Sequence, residues 1–234
     1  MKNYLKEIAI LGNYNRRRKI EEILDSLGVR YNIVGNKSKN IVVSINPSDK
    51  RIVIGSHYDA FYYGANDNGA ACVILLNLIN DLKNSNKSFD FVFFDMEEQG
   101  GVGSREYIEI IGRDNIGAMI NLDMCGLGSN IVLTHSFGNK IDISFRSFYN
   151  LIFDETVNNV DCLPPGDYNN FVDAGISAMF IINSTDNDLD WYNGDCSIYP
   201  EFLETMHQET DTYDSFDPQG MIMIYEFLRK HLIE

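Results

Sequence analysis

A chain of 234 residues with 44% hydrophobic residues is long enough to bury the core of one globular domain and too short for several. Nineteen basic against 34 acidic residues leave a formal charge of −15, which argues against nucleic acid or an anionic membrane as partner. The four cysteines, Cys72, Cys125, Cys162 and Cys196, have neither CxxC spacing nor the density of a disulfide framework, and Cys72 and Cys125 lie in apolar runs that read as core.

In chain order, Met1 to Leu27 reads as one or two helices, because Ile20, Ile23, Leu24 and Leu27 recur at helical spacing and Gly28 supplies a stop. The basic run Arg16 to Lys19 reads as a solvated helix face. Val29 to Val34 and Asn40 to Ile45 are β-prone, with a turn at Gly35-Asn36. Pro47 to Lys50 forms a second turn before the apolar strand Arg51 to Ser56, whose polar tip carries His57 and Asp59. A glycine-rich loop holding Asp67 leads into an apolar run at helical spacing, Ala70 to Leu82. A polar loop, Asn84 to Ser88, precedes a strand over Phe89 to Phe94, and an acidic tip, Asp95 to Gly101, precedes a helix over Gly103 to Ile111. Ile116 to Leu122 reads as a strand ending in Asp123, Ile131 to Thr134 as a short strand, Ile141 to Val157 as a helix, and Ala178 to Ile182 as a strand after a Pro164-Pro165-Gly166-Asp167 loop. The polar, aromatic stretch Asn183 to Pro200 reads as a long loop, a feature often functional in a compact domain. Asp217 to Leu232 closes the chain as a helix, with Asp217 at its N-cap and Pro218 in its first turn.

Strands alternating with helices predict an α/β fold with a mostly parallel central sheet flanked by helices, residues 1–234 forming a single domain. No apolar run reaches the roughly 18 residues of a membrane helix. The N-terminus lacks the long apolar region and cleavage site of a secretion signal, so the expected compartment is the cytoplasm.

Three apolar strands end in imidazole or carboxylate groups: His57 with Asp59, Glu97 with Glu98, and Asp123. In an α/β sheet such ends are where a site is built. Read alone, each has a plain structural reading: His57 as a polar strand end, Glu97-Glu98 as an acidic turn, Asp67 as a helix N-cap. Together they predict a cluster along one sheet edge, where several carboxylates repel unless cations offset them. Imidazole among carboxylates suits zinc. His135 and His231 read as surface residues.

The ordered set resembles the di-zinc aminopeptidases of the M28 peptidase family, over about residues 14 to 233. It comprises His57-Tyr58-Asp59, Asp67-Asn68-Gly69, Glu97-Glu98-Gln99-Gly100 with Gly103-Ser104, Asn121-Leu122-Asp123-Met124, and His207 with Asp211-Thr212. The resemblance implies the α/β/α sandwich of zinc-dependent exopeptidases and two zinc ions per chain. It implies His57, Asp67 and Asp123 on one ion, with Asp67 bridging to a second held by Glu98 and His207. Glu97 would be the general base, and Asp59 would orient His57 through the second ring nitrogen. The substrate implied is a peptide or other amide with a free amino terminus.

Two departures bear on the substrate rather than on the metals. Gln208 follows the last histidine where the family often has threonine, and Tyr168 takes the place of histidine in the segment Gly166 to Phe171, which resembles the family's S-D-H-x-x-F stretch. Asp167, Tyr168, Trp191 and Tyr192 are candidate substrate contacts, with aromatic packing under a loop as the alternative for the three rings. Two further readings stay open on the same scaffold: a single-zinc, glutaminyl-cyclase-like acyltransferase, and a non-catalytic binding domain.

Overall fold

The computed structural model describes residues 1–48, 50–138, 146–161, 163–194, 197, 200–215 and 218–233. Two helices, α1 (Leu5–Ile8) and α2 (Asn13–Ser26), precede β1 (Asn32–Val34), β2 (Asn40–Ile45) and β3 (Arg51–His57). Helix α3 (Ala70–Leu82), β4 (Phe89–Phe94), α4 (Val102–Ile111), β5 (Ile116–Leu122) and β6 (Asn130–Ser136) follow. Then come α5 (Arg146–Ile152), β7 (Val157–Asn159), α6 (Asp167–Asp173), β8 (Ser177–Ser184), α7 (Asp186–Tyr192), α8 (Phe202–Thr205) and α9 (Pro218–Ile233).

The strands form one mixed sheet in the order β1-β2-β4-β3-β5-β8-β6-β7. Its centre, β4-β3-β5-β8, is parallel, whereas β2 runs antiparallel to β4 and β6 antiparallel to β8. The register sets His57 beside Phe94, Gly55 beside Asn121 and Asn121 beside Phe180, so the C-terminal ends of the four central strands lie along one edge.

Period-2 alternation explains the layers. Phe89, Phe91 and Phe93 of β4, Ile52 and Ile54 of β3, and Ala118 and Ile120 of β5 join a core with Leu5, Ile20, Ile74 and Leu228. The intervening residues Val92, Phe94, Val53 and Met119 face the opposite way and meet Tyr107 and Phe171 of α4 and α6. Helix α3 is buried on nearly every side, which is why its sequence is apolar rather than amphipathic. Burial of each of its Leu, Ile and Val side chains is worth roughly 1.5–3 kcal/mol.

Several predicted elements differ from those observed. The helix expected over Ile141 to Val157 is α5, followed by the short strand β7; residues 139–145 lie outside the described residues, as do Asp217, Cys162 and Cys196. The stretch read as a loop from Asn183 holds the end of β8 and then α7. Thr185 caps α7: its hydroxyl accepts from the Asp188 amide at 3.2 Å, and the Asp188 carboxylate accepts from the Thr185 amide at 3.3 Å. His231 is not solvated. Its Nε2 lies 2.8 Å from Asp154, whose carboxylate also takes Lys230 and ties α9 to the end of α5. His135 is half-buried with its ring against Phe137.

Candidate metal centre

Four segments bring their polar groups to the C-terminal edge of the sheet. His57 ends β3, Glu97 and Glu98 follow β4, Asp123 follows β5, and Asp67 lies in an irregular turn, Ala65–Gly69, at the start of α3. Asp67 is held from two sides. The Asp211 carboxylate accepts from the amides of Asn66 (2.7 Å) and Asp67 (2.9 Å), and the Asn68 side chain donates to the Leu122 carbonyl of β5 (2.9 Å). The peptide bond between Asp67 and Asn68 is cis.

The two oxygens of Asp67 face different imidazoles. Its Oδ1 lies 3.2 Å from His57 Nε2, which is also 3.4 Å from Asp123 Oδ1. Its Oδ2 lies 3.4 Å from His207 Nε2, which is 2.9 Å from Glu98 Oε2. Two ligand groups thus share one carboxylate: His57, Asp67 and Asp123, and Asp67, Glu98 and His207, with the donor atoms of each group within 4.8 Å of one another. Glu97 comes equally close to His57 and Glu98.

His57 is buried, with Nδ1 2.9 Å from the Asp59 backbone carbonyl. The Asp59 carboxylate is 3.6 Å away from that nitrogen, beyond hydrogen-bond range, and instead accepts from the amides of Glu97 (3.1 Å) and Glu98 (3.2 Å). Orientation of the His57 ring therefore falls to the Asp59 main chain, while the Asp59 side chain fixes the Glu97-Glu98 turn. Helix α4 comes close against the start of that turn: a Cβ on Gly103 would come 2.2 Å from the Asp95 carbonyl.

The electrostatics are those of a crowded acidic pocket. Burial pushes Glu97 up to about 9, helped by Asp167, Asp123 and Glu98, and pushes Glu98 up to about 8, helped by Asp67. Burial likewise raises Asp167 to about 7. Burial opposes the charged form of His57, yet Asp123, Asp59 and Asp67 together hold its pKa well above the ordinary value.

Arg16, read from sequence as part of a solvated face, is buried behind this loop. It spends its hydrogen bonds on the carbonyls of Tyr58 (2.6 Å), Tyr63 (2.6 Å) and Gly64 (3.2 Å), not on a carboxylate. Its charge acts on Asp67, Asp59 and Asp211 without a direct ion pair, and Glu98 Oε1 is buried without a partner. Two imidazoles with three carboxylates, one of them shared and one holding a vacant buried oxygen, form a donor set that fits a pair of divalent cations such as zinc.

The edge opens into a cavity of about 270 Å³. Its polar floor is His57, Asp67, Glu97, Glu98, Asp123 and His207; its apolar wall is Met124, Pro164, Pro165, Phe180 and Met206. Sequence reading did not single out the wall. Pro164-Pro165, a rigid apolar pair in a loop, was the available signal. Asp167 is buried with neither carboxylate oxygen partnered. Tyr168 stacks on Phe180 at 5.3 Å and so backs the wall. Trp191 and Tyr192 pack against Phe202 at 5.6 and 5.7 Å and do not line the cavity themselves, although Tyr192 also packs against the cluster that contains the wall residue Phe180.

Comparison with known proteins supports the fold. The chain is 34% identical over 100 residues to aminopeptidase YwaD of Bacillus subtilis, a match covering 38% of this chain and 22% of that one. Its fold is similar to that of the zinc aminopeptidase BSAP from Bacillus subtilis (TM-score 0.65, 21% identity, 83% of this chain and 49% of that one). It is also similar to Bacteroides thetaiotaomicron glutaminyl cyclase (TM-score 0.67, 19% identity, 96% and 93%). The chain thus spans about half the length of the aminopeptidase structure and less than a quarter of YwaD. Residues 40–231, most of the sheet and every candidate ligand named above, match the model of peptidase family M28, and the chain belongs to that family.

Proposed function

We propose that residues 1–234 form one catalytic domain, a zinc-dependent aminopeptidase that hydrolyses the N-terminal amide bond of peptides. The observation that carries this reading is the shared carboxylate: Asp67 presents one oxygen to His57 and the other to His207, the arrangement a two-ion centre requires. His57, Asp67 and Asp123 would hold one ion, and Asp67, Glu98 and His207 the other. When bound, the ions supply Lewis acidity at the scissile carbonyl and at the attacking water, and positive charge that draws the surrounding carboxylates into their ionised forms.

The protein's own part follows from geometry. Glu97 is next to the ligands without belonging to either group that shares Asp67. It accepts a proton from the attacking water at a carboxylate oxygen and returns it to the nitrogen of the leaving amine. The Asp59 carboxylate holds the Glu97 amide and with it the direction of that side chain. Met124, Phe180 and Met206 exclude water from one side and offer an apolar surface to the substrate's first side chain.

The deciding experiment is a screen of aminoacyl-amides and of peptides beginning with glutamine, with and without chelator, with products read by mass. Chelator-sensitive addition of water supports the aminopeptidase. Loss of ammonia from the glutamine peptides, without hydrolysis, would move the assignment to a cyclase, and binding without turnover to a non-catalytic domain.

A further inference from the structure

The two imidazoles of the centre are supported in different ways. His57 is 2% exposed, sits at the end of a central strand, and has its second nitrogen on a backbone carbonyl. His207 is 43% exposed and lies in the turn after α8, with a backbone φ of +59° that side-chain-bearing residues seldom adopt. No strand fixes it. What covers it is Phe61, whose ring centroid lies 4.6 Å from that of His207 at an interplanar angle of 57°.

Phe61 is itself 57% exposed, at the head of a run of exposed rings with Tyr62 (38%) and Tyr63 (37%). Its loop is braced at both ends. The Ala60 amide donates to the Asn13 side chain (3.0 Å), Arg16 Nη1 donates to the Tyr63 carbonyl (2.6 Å), and the Ala65 amide donates to the Asp211 carbonyl (3.2 Å). The last bond ties the loop directly to the segment that carries His207. A ring carried on a braced loop and set against one face of an otherwise exposed imidazole restricts the orientations that imidazole samples, and so lowers the cost of ordering it when it takes up an ion.

We propose that Phe61 is a positioning residue for His207, and that the buried Arg16 and Asn13 of α2 act on the second metal position through it. The proposal rests on the two-ion reading given above. It assigns to the 58–64 loop a task separate from carrying His57 and Asp59: holding the far ligand from outside.

The test titrates the purified, metal-free full chain with Co²⁺, following visible absorption and calorimetry. In the unmodified protein two equivalents bind. In Phe61→Ala the equivalent that depends on His207 should weaken roughly 3- to 10-fold while the other is unchanged, and Phe61→Tyr should restore it. The thermal midpoint of the metal-free protein should stay the same in both variants, and Phe61→Leu provides a milder truncation if the alanine variant folds poorly. Unchanged affinity at both positions overturns the proposal. So does an equal loss at both with a lowered metal-free midpoint, which would make Phe61 a general packing residue. Failure of the unmodified chain to take a second equivalent would instead overturn the two-ion reading, and this proposal with it.

Discussion

Glu97 and His207 separate the chemistry of the site from its assembly. On the proposed mechanism Glu97→Gln would remove the proton acceptor and leave the shared-carboxylate groups whole, so turnover should fall roughly 10²- to 10⁴-fold with zinc content unchanged by elemental analysis. Parallel loss of zinc would mean that Glu97 is a ligand. On the two-ion reading, His207→Ala should lower the zinc content of the loaded protein by one equivalent, because His57 and Asp123 would keep the other position; unchanged content would remove His207 from the centre. Both residues were legible in the sequence, as members of an ordered set of motifs. The work of Asp59 was only partly so. Its place beside His57 is visible in the chain, but its carboxylate serves the amides of Glu97 and Glu98, which a sheet pairing brings to it across nearly forty residues. Arg16 was hidden for a similar reason: a basic run predicts solvent, and only the carbonyls of a distant loop make burial of one guanidinium tolerable.

At the scale of elements, helix α4 is anchored to the β1–β2 turn by one side chain. The Glu106 carboxylate accepts from the amides of Asn36 (3.0 Å), Lys37 (3.0 Å) and Ser38 (2.9 Å) and from the Ser38 hydroxyl (2.6 Å). The Ser38 hydroxyl and the Lys37 amide hold its pKa down to about 2, below the ordinary 4.5. A depressed carboxylate stabilises the fold fully above its ordinary value and loses that contribution as pH falls toward 2. Glu106→Gln should therefore cost about 1 kcal/mol at neutral pH, a figure kept small because the site is half in water. The gap between variant and parent should close in thermal melts as the buffer is taken from pH 5 toward pH 2; a gap that stays constant would show that charge is not the cause. The strands of the sheet's centre were legible because each is a short apolar run, and α3 because its apolar run is long. Helix α7 was not, since only Leu189 and Tyr192 of its seven residues pack against the core, too few to show as a period, although the Thr185-to-Asp188 capping box was present in the sequence.

For the whole molecule, a buried acidic centre that takes up metal should make stability depend on it. Ions that bind the folded chain and not the unfolded one should add about 2.7 kcal/mol at a hundredfold excess over their dissociation constant, or roughly 5–10 °C in melting midpoint for a chain of this size. Calorimetry of zinc-loaded and chelated protein checks this; identical midpoints would mean that the cluster takes no ion. The architecture, an α/β layered fold with its polar residues at one sheet edge, could be read from alternation and strand-end chemistry alone. The mixed character of the sheet could not, because β2 and β6 differ from the central strands in direction and not in composition.

The shared carboxylate of Asp67 also has a history within each molecule. His57, Asp67 and Asp123 lie in the first 123 residues, on or beside strands that pair with one another, while His207 belongs to a turn near the C-terminal end. A growing chain therefore possesses every candidate ligand of one position before it possesses His207, and before it possesses Asp211, whose carboxylate holds the Asp67 amide. The order in which the halves of the centre become available is written into the order of synthesis.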